Sequence, residues 1–367
     1  MSKSDRAPDK WRLRRNTQIK HDILFEYLKG WSSVFSARTD EGPRVLHYID
    51  SCAGRGWYEE GTQGSPLIAM KVGQQLNEYR QGGVFLECYN VEQNRKNFED
   101  LLYEIDTVRS RYDTVGVRNF FGPFQDHSAN ILGLIPLEDP AFVFIDPFGY
   151  RGIELNEVLR FVERRWNEVF VTFMSDYIGR YMTDPNRISA MDQVFGTQEW
   201  QRLAESPTAD QRTGAVELYC RQIQERASSR NGQRTYVYPI NVAYEDRSSD
   251  IYNLIHISHH PKARIVMESA VDRVTRMSNE EKLFIELEVQ DLVLGALRKS
   301  RRGELTALWV AGAVWLRSLY ASWKRDIKGA ILDLEGSGRV GVRTFDDRNR
   351  TKGGIDERDV ISLKGGR

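Results

Sequence analysis

The sequence predicts a doubly wound α/β sheet followed by a separate, mainly helical C-terminal domain. Through residue 277, short apolar segments of strand character alternate with amphipathic segments of helical spacing, which is typical of a largely parallel sheet. From residue 278 the pattern changes to successive helices followed by two short strands. A chain of 367 residues is long enough for two domains of ~100–200 residues each. We therefore predict a basic N-terminal segment with an amphipathic helix (1–44), an α/β domain (45–277) with an insert or lid at 176–232, and a C-terminal domain (278–367).

The composition excludes several protein classes. Hydrophobic residues make up 40% and charged residues 28% of the chain, which is ordinary for a folded protein and excludes disorder over most of it. No apolar run approaches the ~20 residues that span a bilayer, and the first residues lack the apolar core of a signal peptide. Cys52, Cys88 and Cys220 show no CxxC spacing, so we expect neither a disulfide framework nor a cysteine zinc site. We predict a soluble, cytoplasmic protein.

Charge is balanced in total but not along the chain. There are 52 basic and 52 acidic residues, yet residues 1–20 contain seven basic and two acidic side chains. Residues 298–367 contain 16 basic and 9 acidic side chains, so the middle of the chain has an acidic excess. Basic ends on an acidic body are typical of a protein whose ends contact a polyanion. The alternative is that both basic ends are simply exposed to solvent and bind no polyanion.

The elements of the α/β domain follow in order. An amphipathic helix at 17–35 precedes a strand at 45–50, and Ser65-Pro66 predicts a helix start, with Ser65 as N-cap. Further strands are predicted at 82–92, 115–122, 141–148 and 168–174, with helices between them. The apolar stretch 141–148 is typical of a strand buried in the middle of a parallel sheet. Strands at 235–244 and 251–259 leave no room for a helix between them, which predicts an antiparallel pair at one edge.

A glycine-rich loop follows the first strand. The strand ends at Asp50, and Ala53, Gly54 and Gly56 come next; glycines let a backbone turn tightly and approach a ligand closely. The spacing differs from the GxGxxG pattern of dinucleotide-binding proteins. Asp-x-x-Ala-Gly-x-Gly instead resembles motif I of class I S-adenosylmethionine (SAM) methyltransferases, where the loop packs against the methionine part of the cofactor. The resemblance implies that Asp50, Ala53, Gly54 and Gly56 bind SAM.

Glu92 ends the second predicted strand. A carboxylate there can accept hydrogen bonds from both ribose hydroxyls of an adenosine, and a surface glutamate at a helix N-terminus is the alternative. Phe120, Phe121 and Phe124 follow the third strand, close to where the adenine of SAM commonly lies. Phe121 and Gln125 are candidate adenine contacts, although three aromatic residues in this position also fit an ordinary core.

The sequence IDPFG follows the central strand. Asp146, Pro147 and Phe148 stand at its carboxyl end, where ligands bind in open α/β sheets. Amino-group methyltransferases have Asp, Asn or Ser, then Pro-Pro and an aromatic residue, at this point; here the second proline is missing. The sequence Asp-Pro-Phe-Gly resembles the corresponding motif of the tRNA N2-guanine dimethyltransferases. That resemblance implies that Asp146 and a backbone carbonyl accept hydrogen bonds from a target amine while Phe148 stacks on the base. A buried strand ending in a proline turn is the alternative.

A longer resemblance covers residues 11–275. The segments KHDILFEYLKGW, YIDSCAGRGWYEEGTQGSPLIAM, FIDPFG and YNLIHISHHPKARIVM resemble the three-Cys-motif partner family (TcmP), which is similar to class I methyltransferases in fold. The resemblance implies a partner of the Gp37/Gp68 type that contains the three-cysteine motif. Members of the family commonly have Phe-Ala-Gly-Pro-Gly after the first acid, whereas this chain has Ser51-Cys52-Ala53-Gly54-Arg55-Gly56. The glycines are kept, and Arg55 is placed near the mouth of the cofactor site.

Two further groups of residues are candidates for contacts. Lys20-His21 resembles a Lys-His pair of the TcmP family, which implies contact with a cofactor carboxylate or a substrate phosphate. A helix face exposed to solvent explains the pair nearly as well. His256, His259 and His260 lack acidic or cysteine ligands at matching spacing, so we expect satisfied histidines and no metal site.

The C-terminal domain resembles a winged helix-turn-helix. Lys324 and Arg325 lie on a predicted recognition-type helix, while Arg339 and Arg343 belong to a predicted wing, and such cations can contact phosphates. Winged helices also serve as dimerisation and protein-docking modules.

Together these features predict a SAM-dependent methyltransferase that acts on an exocyclic amine of a nucleobase in DNA or RNA. The alternative is a non-catalytic, methyltransferase-like scaffold that binds nucleic acid and docks the three-cysteine protein. A small-molecule methyltransferase is a third hypothesis. The C-terminal domain argues against it, because a small substrate does not require such a domain.

Overall fold

The strands of the protein form two sheets in a computed structural model that describes residues 13–36, 44–242, 252–275, 286–345 and 354–364. The strands of the larger sheet are β1 (Arg44–Asp50), β2 (Val84–Glu92), β3 (Val115–Phe121), β4 (Ala141–Ile145), β5 (Asn167–Phe173), β6 (Tyr236–Val242) and β7 (Tyr252–Ser258). Their order across the sheet is β3-β2-β1-β4-β5-β7-β6. All pairs from β3 to β5 are parallel, and β7 is antiparallel to both of its neighbours. The predicted doubly wound sheet with an antiparallel pair at one edge is confirmed, and the reversed strand is the inner member of that pair.

Helices cover both faces of this sheet. The α-helices of the described residues are α1 (Arg15–Ser36), α2 (Ser65–Tyr79), α3 (Arg95–Val108), α4 (Phe124–Leu134), α5 (Leu155–Val162), α6 (Ser175–Met182), α7 (Ile188–Phe195), α8 (Trp200–Ala204), α9 (Thr208–Asn231), α10 (Pro261–Thr275), α11 (Glu286–Lys299), α12 (Ala307–Trp315) and α13 (Lys328–Gly336). One apolar core joins the sheet to α1, α2, α3 and α10, and a second joins it to α4 to α9. Among the described residues, no helix is both long enough and apolar enough to cross a bilayer.

The segment 176–232 differs from the predicted insert or lid. Its helices α6 to α9 bury Trp200, Tyr219, Cys220 and Ile223 in the same core as Val171 of the sheet. The 24-residue helix α9 ends five residues before β6 begins, so it is the crossover that returns the chain to the sheet edge. This segment is therefore a layer of the domain, and its polar composition reflects the exposed face of α9.

Helix α1 is fixed against the sheet by apolar and polar contacts. Its residues Ile23, Leu24, Leu28 and Trp31 are buried. In the same face the Tyr27 hydroxyl donates a hydrogen bond to Glu168, whose Oε2 lies 3.0 Å from Nε2 of His256. His256 is thus buried and hydrogen-bonded through Nε2, whereas its Nδ1 atom has no partner among the described residues, so the expected satisfied histidine is confirmed only in part. This network sets which turn of α1 faces the carboxyl edge of the sheet.

The C-terminal residues form a second unit with its own core. The element order is α11, β8 (Glu304–Thr306), α12, a short π-helix (Trp323–Ile327), α13, β9 (Val340–Arg343) and β10 (Val360–Leu363). The three strands pair antiparallel in the order β8-β10-β9. Val293, Val310, Trp315, Ile331 and Ile361 are completely buried in this core. Residues 346–353, which include most of the predicted wing, lie outside the described residues, as does the basic segment before residue 13.

A buried ion pair on α10 joins the two units. The guanidinium of Arg264, which is completely buried, donates to Glu268 at 3.2 Å and to the carbonyl oxygens of Leu319 and Ala321 at 2.7 and 2.9 Å. The Glu268 carboxylate in turn accepts from the backbone N–H of Trp323 at 2.8 Å. Burial lowers the pKa of Arg264 and raises that of Glu268, and each charge partly offsets this shift in the other.

Removal of one member of this pair is expected to be costly. The substitution Glu268→Ala leaves the Arg264 guanidinium buried without its counter-charge, so we expect the free energy of unfolding to fall by about 3–5 kcal/mol. The matched control is Asp272→Ala on the same helix, which breaks an exposed ion pair with Lys324 and is expected to cost less than about 1 kcal/mol. Urea unfolding of both variants measures the difference, and equal losses would contradict the role given to the buried pair.

Candidate functional site

The site lies where the strand order of the sheet reverses. The chain runs outward from β1 to β2 and β3 on one side and from β4 to β5 on the other, so β1 and β4 are neighbours at a topological switch point. Ligands of open α/β sheets bind in the crevice outside the carboxyl ends of such strands. Asp50 ends β1 and Asp146 follows β4 directly, and the sequence analysis had singled out both residues.

Asp50 is completely buried beneath the glycine loop. Its carboxyl group accepts hydrogen bonds from the Tyr48 hydroxyl at 3.0 Å and from the Cys52 backbone N–H at 3.2 Å, and Ser65 also bonds to it. Burial raises its pKa to about 7, against the opposing effect of these donors. The expected N-cap role of Ser65 is wrong, since Gly64 is the N-cap of α2 and the Ser65 hydroxyl serves Asp50 instead.

The glycine loop folds across the ends of β1 and β2. Gly54 and Gly56 have φ angles of +66° and +87°, which glycine adopts without strain. The backbone N–H of Ala53 donates to Val91 at 2.9 Å. A Cβ atom on Gly64 would lie 2.9 Å from the Gly56 carbonyl oxygen, so the two chain segments approach each other as closely as glycine permits.

Glu92 lies buried at the end of β2 and holds this loop. Its Oε2 accepts from the Gly54 N–H at 2.9 Å, and its Oε1 accepts from the Asn94 N–H at 2.6 Å. Burial raises its pKa, and these backbone donors act in the opposite direction. The Asn97 side chain and the Gln93 backbone also bond to it, so ribose hydroxyls would have to share or replace donors that the protein already supplies.

Asp146 and Phe148 project from the end of β4. The Lys20 ammonium group from α1 bonds to Oδ2 of Asp146, and the Asp146 N–H donates to the Ser51 hydroxyl at 3.3 Å. Oδ1 has no partner in the part of the chain that the structure describes. Phe148 is 87% exposed, the highest value among the large apolar side chains that the structure describes as exposed. An acceptor oxygen and a solvent-exposed aromatic ring therefore lie at the same end of β4.

His21 stands next to Lys20 on the wall of the cleft. The ring is 3% exposed, and its Nδ1 atom has no hydrogen-bond partner among the described residues. Burial, and then the neighbouring Lys20 charge, lower its pKa to about 3, although Asp146 acts against this. The imidazole is therefore neutral at physiological pH. A neutral, unpartnered ring nitrogen next to Asp146 is a polar group that a ligand can satisfy.

One narrow cleft of about 30 Å³ lies between α1, the glycine loop and the end of β4. Among its lining residues are His21, Ala53, Gly56, Tyr58, Asp146 and Phe148. The structure thus brings together Lys20, His21, the glycine loop and the IDPF segment, which are distant in sequence. Tyr58 was missed by the sequence analysis; its position directly after the glycine loop was the signal available.

The end of β3 contributes a partly open aromatic surface. Phe121 is 42% exposed, and the Arg95 guanidinium lies 4.7 Å from its ring centroid. Phe124, by contrast, is buried in the core and stacks on Phe161. Gln125 is exposed on α4 and faces Glu154 at 3.5 Å. Of the three phenylalanines, Phe121 is therefore the one that is open to a ligand, and Arg95 was not foreseen.

The candidate phosphate ligands of the C-terminal unit do not join this cleft. Lys324 forms an ion pair with Asp272 of α10, and Arg325 binds Asp326 in bidentate fashion at 2.8 and 3.2 Å. Arg343 lies 4.0 Å from Glu304, while Arg339 is exposed. The start of the predicted recognition-type helix therefore faces α10, and Trp323 is buried there.

No protein-family model and no curated protein matches the chain. Among solved structures, it is similar to a precorrin-6y C5,15-methyltransferase from Geobacter metallireducens, with 14% identity, a TM-score of 0.29, and coverage of 62% of this chain and 86% of that one. A magnesium protoporphyrin IX methyltransferase from Synechocystis, solved with bound SAH, shows 11% identity, a TM-score of 0.31 and coverage of 67% and 89%. A small RNA methyltransferase shows 10% identity and a TM-score of 0.32; the match covers 70% of this chain but only 27% of that one. The fold assignment rests on the strand order itself, and the resemblance to TcmP stays a prediction.

The buried carboxyl group of Asp50 predicts a pH dependence of stability. Because its folded-state pKa of about 7 lies above the value of 3.8 for an unperturbed carboxyl, the native protein binds more protons than the unfolded chain between these pH values. Its contribution to the free energy of unfolding therefore falls as the pH rises from about 4 to about 7, by up to about 4 kcal/mol.

Urea unfolding of the wild type and of Asp50→Asn at several pH values measures this effect. The asparagine variant is expected to lose that decline, because it cannot ionise. The control is Asp106→Asn, an exposed position on α3, which should keep the wild-type profile. Parallel profiles for wild type and Asp50→Asn would contradict the raised pKa.

Proposed function

We propose that the protein is a SAM-dependent methyltransferase that acts on an exocyclic amine of a nucleobase in DNA or RNA. The observation that supports this most is the placement of Asp146 and Phe148. A hydrogen-bond acceptor and an 87%-exposed aromatic ring lie at the end of β4, at the switch point and in the same cleft as the glycine loop. The mostly parallel sheet with its antiparallel edge is the fold that the sequence resemblance implied.

The residues of the cleft fit SAM in chemical type. His21 presents a buried nitrogen that lacks a partner, and the loop from Ala53 to Gly56 offers close backbone approach. The glycine loop, which Asp50 supports from beneath, would hold the methionine part. Glu92 would accept from the ribose hydroxyls, and Phe121 with Gln125 would contact the adenine. When bound, SAM supplies the electrophilic methyl group.

The chain's own groups suit the transfer to an amine. Asp146 Oδ1 would accept an N–H hydrogen bond from the amine, which leaves the nitrogen lone pair free to attack the methyl carbon. After the transfer, the methylated amine would lose its extra proton to solvent. Lys20 holds the other carboxylate oxygen and stabilises its negative charge. With a pKa of about 3, His21 accepts a hydrogen bond but is a weak base.

Phe148 supports a nucleobase as the acceptor. An apolar ring of this size, exposed to water beside a polar group, is suited to stack on a base that has been turned out of its helix. Pro147 stiffens the backbone between the acceptor carboxylate and this ring. The base would then lie with its exocyclic amine toward Asp146.

A winged helix-turn-helix, a nucleic-acid ligand and a three-cysteine partner remain parts of the proposal. The order of helices and strands from α11 to β10, with a three-stranded antiparallel sheet, supports the winged-helix assignment. The resemblance to TcmP alone supports the three-cysteine partner.

A non-catalytic scaffold is the second candidate. It is favoured by the ion pair between Lys20 and Asp146, because this pair occupies one oxygen of the acceptor carboxylate. The second proline of the amine-methyltransferase motif is also absent. Binding of nucleic acid without methyl transfer would support this candidate.

Calorimetric titration with SAM tests the cofactor site. We expect micromolar binding by the wild type and binding about 10–100-fold weaker for Glu92→Gln, because a charged acceptor of hydroxyl donors is lost. The control is Glu99→Gln, an exposed position on α3, which should bind as the wild type does. No binding by the wild type at millimolar SAM would overturn the cofactor assignment and favour the non-catalytic scaffold.

Labelled-methyl transfer to DNA, tRNA and rRNA tests the acceptor site. We expect Asp146→Ala to lower turnover by at least about 100-fold, because a preorganised acceptor at the reacting nitrogen is lost. SAM affinity should stay nearly unchanged. Asp146→Asn keeps a carbonyl acceptor and should retain part of the activity. Full activity of the alanine variant would exclude the proposed role of Asp146.

A further inference from the structure

Six exposed basic side chains gather at one end of the C-terminal sheet. They come from the last turn of α11, the turn before β8, the start of β9 and the end of β10, and we name them together the Gly303 patch: Arg298, Lys299, Arg301, Arg302, Arg339 and Lys364. The sequence analysis had named only Arg339 among them.

Backbone hydrogen bonds bring these segments together. The Leu363 N–H donates to the Gly303 carbonyl at 3.0 Å, and the Lys364 N–H donates to the Arg339 carbonyl at 3.0 Å. Gly303 has φ of +67°, so the turn between α11 and β8 uses a conformation that glycine adopts readily. Three chain segments that are up to 66 residues apart in sequence thus present their cations at one end of the sheet.

The cations of the Gly303 patch differ from the other cations of the C-terminal unit in their ion pairing. None of the six forms an ion pair among the described residues, whereas Lys324, Arg325 and Arg343 of the same unit each face an acidic side chain. The dipole of α11 accounts for Arg298 and Lys299 in its last turn. It does not account for the other four, whose mutual repulsion is relieved by a polyanion.

We propose that the Gly303 patch binds the phosphate backbone of the nucleic acid that carries the acceptor base. This inference rests on the proposed function for the identity of the ligand, but its location is independent of the methyl-transfer cleft. At the start of the recognition-type helix, Lys324 is paired with Asp272 of α10 and Arg325 with Asp326, so we assign the ligand contact to the cations at the end of the sheet near Gly303.

The chemistry of the patch favours nucleic acid over a membrane surface. Binding to a membrane surface is stronger when apolar side chains lie among the cations and insert between the lipids. The exposed large apolar side chains of the C-terminal unit, Trp309, Tyr320 and Phe345, lie outside the patch, and Phe345 follows the far end of β9. Arg and Lys without interleaved apolar groups are suited to phosphates, which fix position without reading base sequence.

Salt-dependent binding to nucleic acid tests the proposal with the full chain. The probes are a labelled DNA duplex of about 30 base pairs, roughly three helical turns, and an unmodified tRNA. The patch variant combines Arg301→Gln, Arg302→Gln, Arg339→Gln and Lys364→Gln, all at exposed positions. The control variant combines Lys324→Gln with Arg343→Gln, which removes two paired cations.

We expect the patch variant to bind at least about tenfold more weakly than the wild type to the preferred probe. Between about 50 and 200 mM salt, the slope of log affinity against log salt concentration should become shallower by roughly 3–4, which corresponds to four lost phosphate contacts on duplex DNA. The control variant should bind and titrate with salt as the wild type does. Which probe is preferred distinguishes DNA from RNA as the source of the phosphates.

Two outcomes would overturn the proposal. One is an unchanged affinity and salt slope for the patch variant, with the same unfolding midpoint as the wild type. The other is loss of binding to phosphatidylserine vesicles by the patch variant while binding to both nucleic acids is kept, which would assign the patch to a membrane surface. Patch-dependent binding of nucleic acid by the wild type, without any methyl transfer to it, would support the patch while the proposed function fails.

Discussion

The parallel pairing of β1 with β4 is the constraint on which the site depends. Four residue pairs, from His47 with Ala141 to Asp50 with Phe144, hold the two strands side by side. The chain leaves β1 toward α2 on one face and leaves β4 toward α5 on the other, so neither connection covers the ends of both strands. The crevice between them exposes main-chain groups and the Asp146 carboxylate, with Asp50 buried directly beneath the loop. A different strand order would bury one of these ends beneath a crossover.

The two carboxyl groups at this crevice have opposite environments. Asp50 is enclosed by protein donors, and its pKa is raised by burial, whereas Asp146 faces the cleft and is paired with Lys20. Asp50 therefore organises the loop by hydrogen bonding, and Asp146 offers charge to a ligand. Because Asp146 also raises the pKa of Asp50, a ligand that withdraws or adds charge at Asp146 will alter the protonation of Asp50.

The position of helix α1 along the sheet is fixed by contacts far from the site, and this position places Lys20 in the site. Tyr27 contacts Glu168 near the beginning of β5 and the Phe142 ring in β4, with a centroid distance of 5.3 Å. Lys20 lies seven residues earlier, about 10 Å along the helix axis. Asp146 lies four residues beyond Phe142, about 13 Å along the strand. The two lengths agree closely enough for Lys20 to meet Asp146.

How far the sequence predicts this arrangement depends on the range of each interaction. Apolar strands predicted the positions of Asp50, Glu92 and Asp146, because a strand boundary is a local feature. The contact between Lys20 and Asp146 spans 126 residues, and no local pattern encodes it. The same holds for Lys324, whose partner Asp272 is set by how the C-terminal unit packs on α10. Helix α10 had a local signal in Pro261 at its start, but the sequence analysis did not predict a helix after the last strand of the domain.

The C-terminal unit is joined to the sheet through buried contacts of α10. Arg264 is buried between the rings of Tyr238 and Trp315, at 4.4 and 4.7 Å from their centroids, and Glu268 reaches the backbone of Trp323. Separation of these groups would expose apolar surface and leave buried charges without partners, so the joint resists hinge motion. A nucleic acid held at the far end of the unit would then meet the cleft at a fixed distance. In that arrangement the distance between the Gly303 patch and Asp146 would decide which base enters the cleft. The C-terminal unit would not need to recognise the base itself.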